Sequence, residues 1–196
     1  MKKAEIKELK KYCLTSRRKF YIISVIALVL GEIFGTAILM IPDEDGDVFD
    51  PAVAAVITAV TLIIVWIIAH RHYITNPRKR FKGRLKYFEE KGVLNYAISD
   101  VQHGVKKFDD RMLLGQYCIM GKGTGLIVFY NEINAMYVKI TINSDEDGTT
   151  ESWELKIDAG GKTYDICTVN KNAKSVQEWN EICAFLRLKA PNIQIK

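Results

Sequence analysis

FYIISVIALVLGEIFGTAILMI, residues 20–41, is a run of 22 residues in which Glu32 is the only charge. As an α-helix it is about 33 Å long, enough for a hydrocarbon core of about 30 Å. A second run, AVAAVITAVTLIIVWIIA (residues 52–69), has 18 residues and no charge, and a helix of that length reaches about 27 Å. Core helices of a soluble protein are the alternative, but two such runs ten residues apart favour a membrane. The first run is too long for a secretory leader, and no small-residue cleavage site precedes Pro42. The expectation is a two-helix transmembrane hairpin, with spans at 20–41 and 52–70 joined by the loop 42–51.

The charge distribution gives the hairpin a direction. The net charge is +5. Residues 1–19 hold eight Lys/Arg against Glu5 and Glu8, and residues 70–86 hold seven with no acid. The connecting loop, PDEDGDVFDP, has five acids and no base. Positive charge on one side of two spans predicts that both termini are cytosolic and that the protein is a multi-pass component of the cell membrane. Residues 92–196 are near neutral, with 12 bases and 13 acids, so the basic face that nucleic acid requires is not expected. Cys13, Cys118, Cys167 and Cys183 are widely spaced and read as reduced, buried thiols.

In residues 1–19, Ile6, Leu9 and Cys13 lie at helical spacing among lysines, which predicts a basic amphipathic helix on the membrane surface. After the second span, Trp66 and Tyr73 read as interfacial anchors. Pro77 is expected to break the helix and start another within the juxtamembrane segment 71–91, burying Phe81, Leu85 and Phe88. Ile98, Val101 and Val105 fit a helical face. Beyond Phe108 the period changes to two, with strands expected at 112–120, 125–130, 135–142, 152–157 and 163–169. The tail 172–190 sets Val176, Trp179, Ile182, Cys183 and Leu186 on one helical stripe ended by Pro191. A five-stranded antiparallel meander covered by that C-terminal helix makes residues 92–196 an α+β domain.

The stretch GLIVFYNEI (residues 125–133), followed by AMYVKITI and a C-terminal helix, resembles bacterial PH-like domains. Over residues 20–196, which close with a helix and the step Pro191, Asn192 and Ile193, the chain is similar to a family of small Gram-positive membrane proteins of uncharacterised function. The resemblance implies two spans and a cytosolic PH-like domain, and it carries over no catalytic residues.

GKGTG (residues 121–125) lacks the spacing and the strand-to-helix setting of a phosphate loop and reads as a hairpin turn. His70 and His72 have no third ligand partner in the sequence, and Asp109 and Asp110 read as solvated acids. No catalytic, cofactor or metal residues are therefore expected. Arg71, Arg78, Lys79, Arg80, Lys82, Arg84 and Lys86 are candidates for lipid headgroup contact, each worth about 1 kcal/mol at an anionic leaflet. Gly31 and Gly35 form a small-residue seam for helix packing with Thr58 and Thr61, which lie near the depth of Glu32 in an antiparallel hairpin. Glu32 is expected to be protonated there and to bond Thr61 or its counterpart in a second copy, as structural glue, a partner contact or part of a proton path. The expected function is a non-enzymatic membrane module binding protein or lipid at the inner leaflet, with membrane lipids and a protein partner or homo-oligomer as its contacts. The alternative is a subunit of a transporter or channel-like assembly using Glu32.

Overall fold

The computed structural model describes residues 2–42, 50–145 and 148–195. It is α+β, with helices followed by antiparallel sheets, and it divides into two compact units, Thr15–Asn76 and the combination of Met1–Leu14 with Pro77–Lys196. Most of the acidic loop, residues 43–49, lies outside the described residues.

The smaller unit contains α2 (Arg17–Leu39) and α3 (Pro51–His70). Both are long and apolar enough to cross a membrane. Ser16 and Asp50 cap their N-termini, each accepting from backbone N–H groups of the first turn. Gly31 faces Leu62 and Gly35 faces Thr58, where an added Cβ would come within 2.9 Å and 2.6 Å of the neighbouring side chain. The two glycines therefore make the α2–α3 seam, and Ala54 and Thr58 are its buried residues on α3.

A new helix starts beside Pro77, as expected, and buries Phe81 and Phe88, but the chain reaches it without a loop. A π-helical turn, Arg71–Thr75, links α3 to α4 (Asn76–Lys91), and the Asn76 N–H bonds the Arg71 carbonyl.

The larger unit has two four-stranded sheets rather than one five-stranded meander. After α5 (Leu94–His103), the first sheet runs in sequence order through β1 (Val105–Lys107), β2 (Met112–Leu114), β3 (Cys118–Gly121) and β4 (Leu126–Phe129). The single strand expected at 112–120 is thus a tight hairpin. Val105, expected on the face of a helix with Ile98 and Val101, is an exposed residue of β1. The second sheet has the order β7-β6-β5-β8, built from β5 (Ile133–Asp145), β6 (Gly148–Ala159), β7 (Lys162–Asn170) and β8 (Gln194–Ile195). Between the last two strands lies α6 (Ala173–Lys189), capped by Asn172.

Two apolar clusters hold this unit. One joins both sheets to Ile182 and Leu186 of α6; Trp179 is only partly buried against it. The other joins β2, β3 and β4 to Phe81 and Phe88 of α4, to Ala97 and Ile98 of α5, and to Leu9, Cys13 and Leu14. Leu9 and Cys13 belong to α1 (Lys2–Cys13). The apolar stripe expected to lie on a membrane surface is instead core, with Leu9 and Cys13 both at 0% exposure.

GKGTG is the expected turn, between β3 and β4, and it also closes the end of α1. Gly123 N–H donates to the Tyr12 carbonyl at 3.1 Å and Gly125 N–H to the Cys13 carbonyl at 2.7 Å. The loop meets the negative end of a helix where a phosphate loop would meet an anion. Gly125 has φ +69°, and a Cβ there would overlap the Pro77 carbonyl. Asp109 and Asp110 precede β2, Asp109 solvent-exposed as expected and Asp110 half-buried; with Phe108 they form a left-handed turn between β1 and β2, where Asp109 pairs with Lys174 at 2.5 Å and Asp110 with Lys106 at 3.4 Å.

Because Leu9 is core, Leu9→Ala should destabilise the full chain by about 2–5 kcal/mol. Partly buried Trp179 should cost less than fully buried Ile182 when each is cut to alanine. Chemical denaturation in detergent measures both; a loss below about 1 kcal/mol for Leu9→Ala would return α1 to the surface.

Candidate interaction site

The larger unit carries an open cleft of ≈ 560 Å³ between α4, α5, the β2–β3 turn and the end of β4. Its walls are set by buried polar contacts. Asp100, on α5 and only 2% exposed, accepts the N–H groups of Gln116, Tyr117 and Cys118, each at 2.8 Å, and the Cys118 thiol at 3.2 Å. A single carboxylate thus satisfies a run of backbone donors that the turn leaves without strand partners. Tyr130 holds the same turn from the other side, donating its hydroxyl to the Gly115 carbonyl at 2.7 Å. Burial, with help from Cys118 and Asp100, pushes the Tyr130 phenol up, so it remains a donor.

The opposite wall depends on Arg84. Its Nε donates to the Ile127 carbonyl at 2.8 Å, its Nη2 bonds Glu132, and the guanidinium lies 4.7 Å from the Phe88 ring centre and 5.0 Å from that of Tyr87. Glu132 also accepts the Phe129 N–H at 3.1 Å, fixing the 3-10 turn Tyr130–Glu132. Between these walls stand Tyr87, Tyr96, Tyr117 and Phe129, together with Lys91, Gln116 and Asn131. The Tyr96 and Tyr117 rings are 4.5 Å apart at 37°. On the other side of Arg84 is a smaller cleft of ≈ 330 Å³, lined in part by Arg80, Glu132 and Tyr164.

The basic residues assigned to lipid therefore divide. Arg84 is a structural member of the cleft wall, which corrects the expectation that it faces headgroups. Arg80 is also occupied, donating to the Thr124 carbonyl at 3.3 Å and lying 5.4 Å from the Tyr164 ring centre. Arg78 is half-buried, whereas Arg71, Lys79, Lys82 and Lys86 are exposed.

The seam residues divide too. Pairing of Gly31 with Leu62 and of Gly35 with Thr58 puts Glu32 and Thr61 at one level, as expected. They do not bond each other. Thr36 donates to Glu32 at 3.4 Å, and Thr61 donates to the Ile57 carbonyl at 2.9 Å, each within its own helix. Thr58 turns its methyl toward Gly35, and its buried hydroxyl oxygen has no hydrogen-bond partner among the described residues.

His70 is an aromatic-cluster residue. It stacks on Trp66 at 5.2 Å, lies 3.1 Å from the Tyr21 hydroxyl and 3.4 Å from the Thr75 hydroxyl. Among the described residues no group of three His, Cys, Asp or Glu is arranged to hold a metal ion. Burial raises all four thiols, Cys118 with the Asp100 carboxylate beside it and Cys167 to about 12, the opposite of an activated nucleophile. Comparison with family models, curated proteins and solved structures found no match for this chain.

Replacing Asp100 by asparagine turns an amide toward the donors of the β2–β3 turn and should cost about 1–3 kcal/mol. Asp100→Asn that melts like the parent would show the clasp to be dispensable. In the hairpin, Gly35→Leu should weaken helix packing in a thermal melt while Glu32→Gln leaves it intact; the opposite order would put the carboxylate, not the glycine, at the seam.

Proposed function

We propose that the chain is a non-enzymatic integral membrane protein, with α2 and α3 as a transmembrane hairpin, both termini cytosolic, and the larger unit a PH-like module that binds protein or lipid at the inner leaflet. One observation carries the topology. Leu9, Cys13 and Leu14, which precede α2, share a hydrophobic cluster with Phe81 and Phe88, which follow α3. A chain that leaves and re-enters one folded unit crosses a membrane an even number of times, and the basic flanks then select the cytosolic side. The PH-like reading is supported by a four-strand meander, a second sheet antiparallel except for the short parallel edge strand β8, and a helix closing the core. Lys79, Lys82 and Lys86 form an exposed stripe on α4 suited to anionic lipid. The transporter reading is less favoured, because Gly31 and Gly35 are occupied within one hairpin and Glu32 bonds its own helix.

An impermeant maleimide should label Asp45→Cys in intact cells, but Lys10→Cys and Leu188→Cys only after permeabilisation. Native Cys13 and Cys118 are buried and would be silent on either side. Labelling at position 10 or 188 in intact cells would refute the topology. For the module itself, co-purification from detergent should yield discrete partners with the full chain that residues 15–76 alone do not retain. Equal retention by the hairpin, or ion flux in proteoliposomes, would favour the alternative.

A further inference from the structure

The outer side of β5 is an open sheet edge. β8 pairs with it only at Ala135 and Met136, and from Val138 to Ile142 no strand lies on that side among the described residues. Residues 138–142, VKITI, pair with β6 without a bulge and include no proline. Every second residue of such an edge turns an unpaired N–H and C=O outward. Val138, Ile140 and Ile142 share one face, and the two isoleucines are 54% and 64% exposed. A proline, a bulge or a charge on the apolar face would blunt a solvent-facing edge, and this stretch has none of them. Its one charge, Lys139, is on the other face and pairs with Glu154 of β6 at 3.7 Å.

The pattern is complementary to itself. A two-fold axis requires that wherever residue i meets residue j of the partner, j also meets i. Antiparallel pairing of two β5 strands about Ile140 satisfies this. Ile140 meets its own counterpart, Val138 meets Ile142 and Lys139 meets Thr141, so each apolar side chain faces an apolar one and no like charges are opposed. A slip of one residue would join the apolar face of one copy to the Lys139 and Thr141 face of the other. Lipid suits the edge less. Hydrocarbon has no partners for the open backbone groups, and the sequence joining β5 to β6 carries Asp145, Glu146 and Asp147, which an anionic leaflet repels. A strand from another protein would use the same backbone groups but places no demand of symmetry on β5; the palindrome of apolar positions is what a second copy needs.

We propose that two copies of the chain pair through the outer edges of β5, antiparallel about Ile140, and so form one continuous sheet across a two-fold axis. Closure uses both edges, so assembly stops at the dimer. Edges of this length make a small interface, and confinement of both copies to one bilayer raises their effective concentration. The proposal rests on the protein-binding arm of the module reading and names a second copy as the partner.

The test is disulfide cross-linking of the full chain in native membranes with copper phenanthroline. Ile140→Cys should give a covalent dimer, because directly opposed residues hold their Cβ atoms about 5 Å apart. Two differently tagged copies, one Val138→Cys and the other Ile142→Cys, should cross-link to each other. Val138→Cys alone should not, because it faces Ile142 rather than its own counterpart. The parent, with Cys13, Cys118 and Cys183 buried, supplies the background. Adding Ile140→Lys to both tagged copies should lower the yield about tenfold by opposing two ammonium groups. Ile140→Lys in one copy with Ile140→Glu in the other should restore it, which separates loss of pairing from loss of fold. Cross-linking that peaks at Thr141→Cys, a yield indifferent to Ile140→Lys, or no rescue by the charge swap would overturn the proposal. If no dimer forms but the full chain retains partners that residues 15–76 lack, the second copy fails alone, and loss of those partners in Ile140→Lys would give the edge to a foreign strand. If the partners are absent too, the module reading fails with it.

Discussion

Burial of Leu9, Cys13 and Leu14 beside Phe81 and Phe88 is the contact on which the rest of the arrangement depends. It draws residues from before α2 and after α3 into one hydrophobic cluster, so the 62 residues between are a long excursion from a single folded unit. Each large apolar side chain buried there contributes about 1.5–3 kcal/mol. The helix ends are finished by the same contact, since the carbonyls of Tyr12 and Cys13 find their donors in the turn between β3 and β4. Without α1 the β2–β3–β4 face would be bare and Gly123 and Gly125 would lose those acceptors. Residues 78–196 therefore lack part of their own core when separated from the N-terminal segment.

Periodicity made the regular elements readable. The two apolar runs follow from their length and lack of charge, α5 and the stripe of α6 from residues three and four apart, and the long strands β5, β6 and β7 from alternation. What it concealed was which surface a stripe meets. Ile6, Leu9 and Cys13 among lysines read the same whether the apolar face meets lipid or protein, and only the tertiary fold decides. The β2–β3 hairpin was hidden for another reason. Met112–Leu114 and Cys118–Gly121 are buried on both faces and therefore do not alternate. The turn between them is held by Asp100, a residue whose role no local pattern announces. Its isolation among Ile98, Val101 and Gln102 was the available signal: a lone carboxylate near the apolar face of a helix needs buried donors.

The cleft was only partly legible. Its tyrosines are spread over α4, α5 and the β2–β3 turn, and their convergence requires the tertiary structure. One distinction in the sequence does anticipate its wall. In RKRFKGRLK (residues 78–86), Arg80 and Arg84 turn to carbonyls, a carboxylate and aromatic rings, while Lys79, Lys82 and Lys86 face outward. A planar guanidinium with several fixed donors suits a partly buried, multiply bonded position, and a strongly hydrated ammonium suits the surface. Counting both as equivalent positive charge discards that information. The stretch supplies a structural wall and a basic surface from alternating residues.

The same separation between level and direction governs Glu32. Gly31 and Gly35 fix the register of the hairpin so that Glu32 and Thr61 share a level, yet neither side chain crosses the seam. The close approach permitted by glycine leaves little room for a carboxyl between the helices, and the hydroxyl of Thr36, one turn along, offers a partner without displacing Leu62 or Thr58. In an apolar medium a local bond of this kind lowers the cost of a polar group that has no interhelical partner. Small residues and a carboxylate adjacent in sequence thus serve different surfaces of α2: the glycines close the hairpin, and Glu32 lies beside the seam, bonded to its own helix.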